Sequence, residues 1–312
     1  MKVYRSLEAY EAGPHSVATI GTFDGVHIGH RTILQRLIES ARAIEGESIL
    51  ISFHPHPRLV LFPENNPLRL LHTLDEKIAL LDEIGLDKLL LIPFTREFSR
   101  LSSKAFIRDV LVDTVQIQKI IIGYDHHFGK NRTGGIEELQ EYAPLWKYEV
   151  EEIPAQSIDD AKVSSTQIRN ALKGGDVRTA AKYLGYHYSF AGEVVHGEKQ
   201  GRLLGFPTAN IQPENERKLI PANGVYFARV TLPSGERKFG LISIGVKPTM
   251  GEFQRSQEVW IYDFEGDLYG QHIRVEMLEW LRGEEKFDGL EALIAQMNLD
   301  KAKGYTLMEQ NW

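Results

Sequence analysis

Four nearly continuous apolar runs, Val17–Ile20, Ile49–Phe53, Leu89–Ile92 and Ile120–Ile122, recur through the first half of the chain with helical patterns between them. Strands apolar on both faces are buried on both, as in a parallel sheet covered by helices. A fifth stretch, Tyr148–Glu152, follows. Between the runs, Ile33, Leu34, Leu37, Ile38 and Ala41 form an amphipathic stripe. Thr73-Leu74-Asp75-Glu76 reads as a capping box ahead of Ile78, Leu81 and Ile84, with Gly85 as the stop. Phe106, Val110 and Leu111 mark a further stripe after Ser102 or Ser103. Strand and helix in alternation predict an α/β, Rossmann-like domain with a parallel sheet.

The pattern changes in the second half. Two short helices are expected at Gln167–Leu172 and Val177–Leu184, separated by Gly174-Gly175 and closed by Gly185. From Tyr188 to Leu281 short alternating stretches follow, among them Gly224–Val230, Lys238–Ile244, Val259–Phe264 and Gln271–Leu278. Such spacing predicts a small antiparallel β-barrel. A C-terminal helix should begin at a capping box of Asp288 and Glu291 and bury Leu290, Leu293, Ile294 and Met297. The boundary falls near 185, dividing the chain into 1–185 and 186–312.

The 312 residues suffice for two cores, and their net charge is −7. An acidic balance argues against a broad nucleic-acid surface, while local backbone amides can still hold a small polyanion. Cysteine is absent, which excludes disulfides, thiolate zinc sites and cysteine nucleophiles. No apolar run approaches the ~18 residues of a membrane span, and the N-terminus lacks a signal-peptide core, so a cytoplasmic, non-membrane protein is expected.

The strongest local signal is Gly21-Thr22-Phe23-Asp24-Gly25-Val26-His27-Ile28-Gly29-His30, between the first strand and the first helix. In open α/β sheets ligands bind beyond the carboxyl ends of the strands. Gly21, Gly25 and Gly29 permit close backbone approach, and the N–H groups opening the helix are free for an anion. His27 and His30, three apart, share a face and can donate to phosphate oxygens. A metal held by His-x-x-His is the second choice, because a helix N-terminus prefers an anion. Gly-x-Gly-x-x-Gly is absent, and Gly123 to Gly129-Lys130-Asn131 misses the P-loop spacing by one residue.

These residues match the His-x-Gly-His nucleotidyltransferases, and the longer segment resembles bacterial bifunctional riboflavin kinase/FAD synthetases. The resemblance continues at Gly123-Tyr124-Asp125-His126-His127-Phe128-Gly129, through Arg132 and Gly134, and at Val163-Ser164-Ser165-Thr166-Gln167-Ile168-Arg169. It implies that Gly21, Thr22, Phe23, His27, His30, Ser164, Ser165, Thr166 and Arg169 hold ATP phosphates, and that Asp125, Phe128 and Gly129 help hold flavin and adenine. Independently, Ser165 or Thr166 can cap a helix whose first turns carry Arg169, a second anion site. His126 stands where the family usually has Phe. The turn His54-Pro55-His56-Pro57, similar to one in the family, is expected to wall the site.

In the second half, Gly197, Gly201 and Gly205 precede Phe206-Pro207-Thr208-Ala209-Asn210. If extended, Thr208 and Asn210 point to one side and offer oxygen ligands of the kind Mg²⁺ accepts. Riboflavin kinases carry a similar Pro-Thr-Ala-Asn stretch, and the resemblance implies ATP binding by this glycine-rich segment, metal contact by Thr208 and Asn210, and a base role for Glu258. Lys247 and Trp260 replace a common Arg and His, and Arg282-Gly283-Glu284-Glu285-Lys286-Phe287 resembles the family's closing segment.

The implied function is Mg²⁺-dependent phosphorylation of riboflavin to FMN and adenylylation of FMN to FAD, with ATP as co-substrate in both steps. An adenylate-forming, tRNA synthetase-like enzyme would share His-x-Gly-His but needs a tRNA surface, which the acidic balance disfavours. A non-catalytic flavin or nucleotide sensor would have no use for Glu258, His27 and His30.

Overall fold

The structure, a computed structural model, describes residues 1–64, 66–123, 127–130, 133–154, 163–197, 201, 204–249 and 252–310, with backbone alone at 247–249 and 252–254. The chain divides into two compact units, Met1–Ser164 and Ser165–Trp312.

The first unit contains β1 (Lys2–Tyr4), β2 (Ser16–Ile20), α1 (Ile28–Ala43), β3 (Ser48–His54), α2 (Pro57–Leu61), α3 (Leu74–Ile84) and β4 (Lys88–Pro93). There follow α4 (Ser103–Ala105), β5 (Ile117–Gly123), α5 (Ile136–Trp146) and β6 (Glu149–Ile153). All six strands pair in parallel in the order β1-β4-β3-β2-β5-β6. Successive strand residues feed opposite cores. Ala18, Ile49, Ile51, Leu90 and Ile120 pack on one side with Phe106 and Val110. Val17, Leu50, Leu89 and Ile121 pack on the other with Leu34, Leu37 and Leu81. Each such buried Val, Leu, Ile or Phe side chain contributes about 1.5–3 kcal/mol.

The capping box before α3 forms as expected: Thr73 Oγ1 accepts from Glu76 N, and the Glu76 carboxylate accepts from Thr73 N at 2.8 Å. Gly85 closes the helix at φ 91°. Ser102 caps α4, which runs into a π-helical stretch, Phe106–Thr114. The stripe of Phe106, Val110 and Leu111 is buried there, in π rather than α geometry.

The second unit opens with the helices Ser165–Lys173 and Val177–Leu184. Then come β7 (Ser189–Val195), β8 (Ala209–Pro213), β9 (Gly224–Thr231), β10 (Arg237–Thr249), β11 (Glu252–Ile261) and β12 (His272–Arg282). They close a barrel in the order β10-β11-β8-β7-β12-β9, with antiparallel pairing throughout. The two short helices pack with the barrel. Ala222 N donates to Leu172 O at 2.9 Å, Arg178 pairs with Glu279, and Val177, Ala180 and Leu184 are buried.

Three expectations need correction. The strand expected at Val259–Phe264 ends at Ile261, because Asp263 turns the chain at φ 48°. The helix carrying Arg169 starts at Ser165, so Ser165 and Thr166 lie in its first turn and Ser164 precedes it. The C-terminal helix, Leu290–Met308, has Gly289 at its cap with no side-chain cap bond, so the box of Asp288 and Glu291 does not form. Leu290 is exposed, and the helix docks by its other end. There Arg282 pairs with buried Asp300 at 2.8 Å, Tyr262 Oη donates to Lys301 O at 2.8 Å, and Leu307 joins Phe227 and Leu278.

Candidate functional sites

In the first unit the chain runs from β2 to β3 and β4 on one side and then to β5 and β6 on the other. β2 and β5 therefore flank the switch point, where a ligand crevice is expected. The loop after β2 is tightly held. Gly21 N donates to Ile51 O at 3.0 Å, and the Asp24 carboxylate accepts from Leu71 N and His72 N at 3.1 and 3.3 Å. Phe23, Gly25 and Val26 take φ values of 47°, 95° and 35°. For a β-branched residue such as Val26 this is strained backbone, of order 1–3 kcal/mol, held by its surroundings.

His27 caps α1: its Nδ1 accepts from His30 N at 3.3 Å, so the neutral ring carries its proton on Nε2. The two imidazoles stack at 3.6 Å and 15°, and Phe23 lies 4.6 Å beyond His30. Burial, reinforced by His27, Lys77 and His72, pushes the His30 pKa well below its ordinary value, so His30 is neutral at physiological pH. Its Nδ1 is buried and makes no hydrogen bond among the described residues.

Beside this loop opens a cleft of about 930 Å³. Gly21, Thr22, Phe128 and Gly129 all line it, as do His56 and Pro57 of the proline turn. His27, His30 and Phe23 do not line it but adjoin it through the loop. The sequence did not single out its row of rings. Phe53, Phe94, Phe98, Phe106 and Phe128 follow one another at centroid spacings of 5.6, 5.9, 6.2 and 5.6 Å. Arg58, Arg100 and Lys130 add cations to the wall. An apolar, ring-lined cleft with a few cations suits a flat aromatic molecule bearing an anionic tail. Ser164 ends this unit, and Ser165, Thr166 and Arg169 belong to the next. Asp125 lies outside the described residues, as do His126 and Arg132.

Beneath the loop is a second residue that sequence reasoning missed. Lys77 of α3 is 8% exposed, and its Nζ donates to Thr22 O at 3.2 Å and to Ser52 Oγ at 3.1 Å. Its position four residues before the fully buried Leu81 was the available signal.

In the second unit, Asn210 on β8 stands opposite Val195 of β7 and Glu258 of β11. Directly opposed residues share a face, so Asn210 and Glu258 project together. Gln257 and Val259 are buried while Glu258 is half-buried, which places the carboxylate on the other face of its strand. Thr208 Oγ1 donates to Glu258 Oε2 at 3.0 Å. A hydroxyl that spends its proton on a carboxylate keeps its lone pairs for another ligand. The glycines fit closely around this group. A Cβ on Gly197 would come within 2.3 Å of Asn210 Nδ2, and one on Gly201 within 2.4 Å of Phe206 O and 3.1 Å of Thr208 Oγ1. Gly205 makes the turn before Phe206 at φ 81°. A cavity of about 510 Å³, lined by Val194, Thr208, Val259, Phe264 and Tyr269 among others, adjoins the cluster. Trp260, two residues on and on the same strand face as Glu258, packs against Phe206 and Tyr262 at 5.6 and 4.4 Å. Among the described residues no group of three or more His, Asp or Glu is arranged to hold a metal by itself.

Comparison with known proteins agrees across both units. A family model described as FAD synthetase matches residues 10–167, and one described as riboflavin kinase matches 184–308. A bifunctional riboflavin kinase/FMN adenylyltransferase of Pseudomonas fluorescens is 39% identical over 93% of this chain and 92% of its own. The Escherichia coli K12 protein of the same description is 35% identical over 96% of each chain. A solved Streptococcus pneumoniae structure, described as a macrolide-efflux protein, superposes with a TM-score of 0.87 at 28% identity and covers 99% of this chain and 98% of its own. Among the described residues no helix is long and apolar enough to cross a membrane.

Proposed function

This chain belongs to the bifunctional riboflavin kinase/FMN adenylyltransferase family, and from that premise we propose how its residues divide the two reactions. Residues 1–185 adenylylate FMN, and residues 186–312 phosphorylate riboflavin. The observation that carries the kinase assignment is the contact of Thr208 with Glu258 at 3.0 Å, with Asn210 directly opposite.

In the kinase, riboflavin's terminal ribityl hydroxyl attacks the γ-phosphorus of ATP. The new O–P bond forms, the bond to the bridging oxygen breaks, ADP leaves, and Glu258 takes the hydroxyl proton. Gly197 and Gly201 let the backbone pass close to Asn210, Thr208 and the nucleotide, and Gly205 makes the turn that leads into them. The hydroxyl of Thr208 and the amide oxygen of Asn210 are hard neutral donors beside a carboxylate, a set that fits Mg²⁺ when phosphate and water complete its shell. Bound there, Mg²⁺ would neutralise phosphate charge.

In the adenylyltransferase, a phosphate oxygen of FMN attacks the α-phosphorus of a second ATP and pyrophosphate leaves. No proton need move, so positioning and electrostatics carry the step. The isoalloxazine ring lies in the phenylalanine cleft beside Phe128 and Gly129. The triphosphate lies against Gly21, Thr22 and Phe23, with N–H donation from His27 and from neutral His30. Ser164, Ser165, Thr166 and Arg169 supply further donors, and Asp125 contacts flavin or adenine. The absence of cysteine suits a reducing cytoplasm, where ATP is regenerated.

The test is a time course with riboflavin, ATP and Mg²⁺, the flavins being separated at intervals. FMN should rise first and FAD after it. No ADP release dependent on riboflavin would rule out the kinase, and no FAD from supplied FMN would rule out the adenylyltransferase.

A further inference from the structure

The nucleotide loop rests on a buried ammonium that neither reaction scheme uses. Lys77 reaches from α3 to Ser52 of β3, and its Nζ donates to Thr22 O. The Thr22–Phe23 peptide is trans, the cis bond among the described residues being His54–Pro55. In a trans peptide the following N–H points opposite to the carbonyl. Drawing Thr22 O down onto Lys77 therefore turns Phe23 N–H up, away from the core. That N–H makes no hydrogen bond among the described residues. Lys77 also makes no ion pair with a carboxylate among them, and Asp24 is the acid whose field reaches it. A buried cation in that setting lacks compensation that an anion above the loop would supply.

We propose that Lys77 is a positioning residue of the adenylyltransferase: it aims Phe23 N–H at the triphosphate, provides the positive charge behind the loop, and takes up a proton as ATP binds. The proposal rests on the triphosphate lying at this loop. Burial, partly offset by Asp24, brings the Lys77 pKa down to about 8 in the ligand-free protein. An anion overhead raises it. Affinity from that rise is complete below the free pKa and is lost as pH climbs through the bound one.

Three other titratable groups face Lys77. Asp24 lies in the loop itself, His30 comes from α1 and His54 from the end of β3, and both imidazoles feel Lys77. Burial lowers both histidines below their ordinary value, so they are already neutral. The second reactant does not interfere either, since ordinary phosphate monoesters finish titrating well below pH 8, at about 6.

The experiment measures kcat and KM for ATP in FMN-to-FAD conversion by the full chain between about pH 7.5 and 9.5. In the wild type KM should climb above about pH 8, by up to tenfold per unit, while kcat changes less. Lys77→Met should raise KM at pH 7.5 by roughly 10–100-fold, the loss of a charged hydrogen bond, and flatten the profile. Lys77→Arg, which keeps its charge, should hold KM low at the alkaline end. A Lys77→Met enzyme with the wild-type KM and slope would overturn the proposal while leaving the site assignment standing. If Lys77→Met does not fold, the wild type decides: a KM flat across the range is equally fatal. Failure of the wild type to make FAD at all would instead reject the underlying function.

Discussion

Gly197→Ala tests the kinase cluster without removing any of its functional groups. An added Cβ would meet the Asn210 amide at 2.3 Å from Nδ2, 2.7 Å from Cγ and 2.9 Å from Oδ1. Ordinary contact begins near 3.4 Å, so the amide must retreat by about 1 Å. The obstruction is the end of a side chain, so the strand need not move and stability should change by no more than about 1 kcal/mol. Catalysis should suffer more, because a displacement of about 1 Å in a positioned group costs on the order of 10²-fold. The assay is riboflavin-dependent ADP release at saturating Mg-ATP, with FMN-to-FAD conversion followed in the same sample as an internal control. ADP release should fall by about that factor while the second activity holds. A folded Gly197→Ala enzyme with a kinase rate within about twofold of wild type would refute the role given to Asn210.

Gly304→Ala should loosen the C-terminal helix: the new Cβ would meet Tyr262 Oη at 1.9 Å. Overpacking of about 1–3 kcal/mol outweighs the roughly 1 kcal/mol that helix propensity returns, and a lower urea midpoint for the barrel would show it. A fragment beginning at Ser165 should melt higher than one beginning at Tyr186, because the longer one keeps Leu172, Val177, Ala180 and Leu184 buried. Equal melting temperatures would mean that those helices add nothing to the barrel.

What could be read from sequence was whatever has a local cause. The apolar runs located the buried strands, Thr73 and Glu76 announced the start of α3, and the glycine-rich turn stood out because its residue types are unusual together. β1 was not legible, since three residues, Lys2–Tyr4, carry no period. The ring-lined cleft was hidden for another reason. Phe53, Phe94, Phe98 and Phe106 each look like ordinary core residues, and only the sheet topology gathers them with Phe128, which the family resemblance had singled out. Lys77 was missed because lysine on an amphipathic helix usually reaches solvent, and here the carbonyl of Thr22 and the hydroxyl of Ser52 wait for it inside. The C-terminal helix misled in the opposite direction. Its apolar stripe starts at Leu290, but its anchor is the Arg282–Asp300 pair and Gly304 against Tyr262, tertiary contacts that no stripe encodes.

The central claim is that one chain carries two separable active sites, one built around Glu258 and the other around His30. Crossed variants in the full chain test it most directly, with riboflavin-to-FMN and FMN-to-FAD conversion measured on each. Glu258→Gln should lose the first activity by roughly 10²–10⁴-fold and keep the second, since Gln cannot accept the proton. His30→Ala should lose the second by about 10²-fold and let FMN accumulate. If each variant, folded, loses both activities in equal measure, the division of labour between the two sites is wrong.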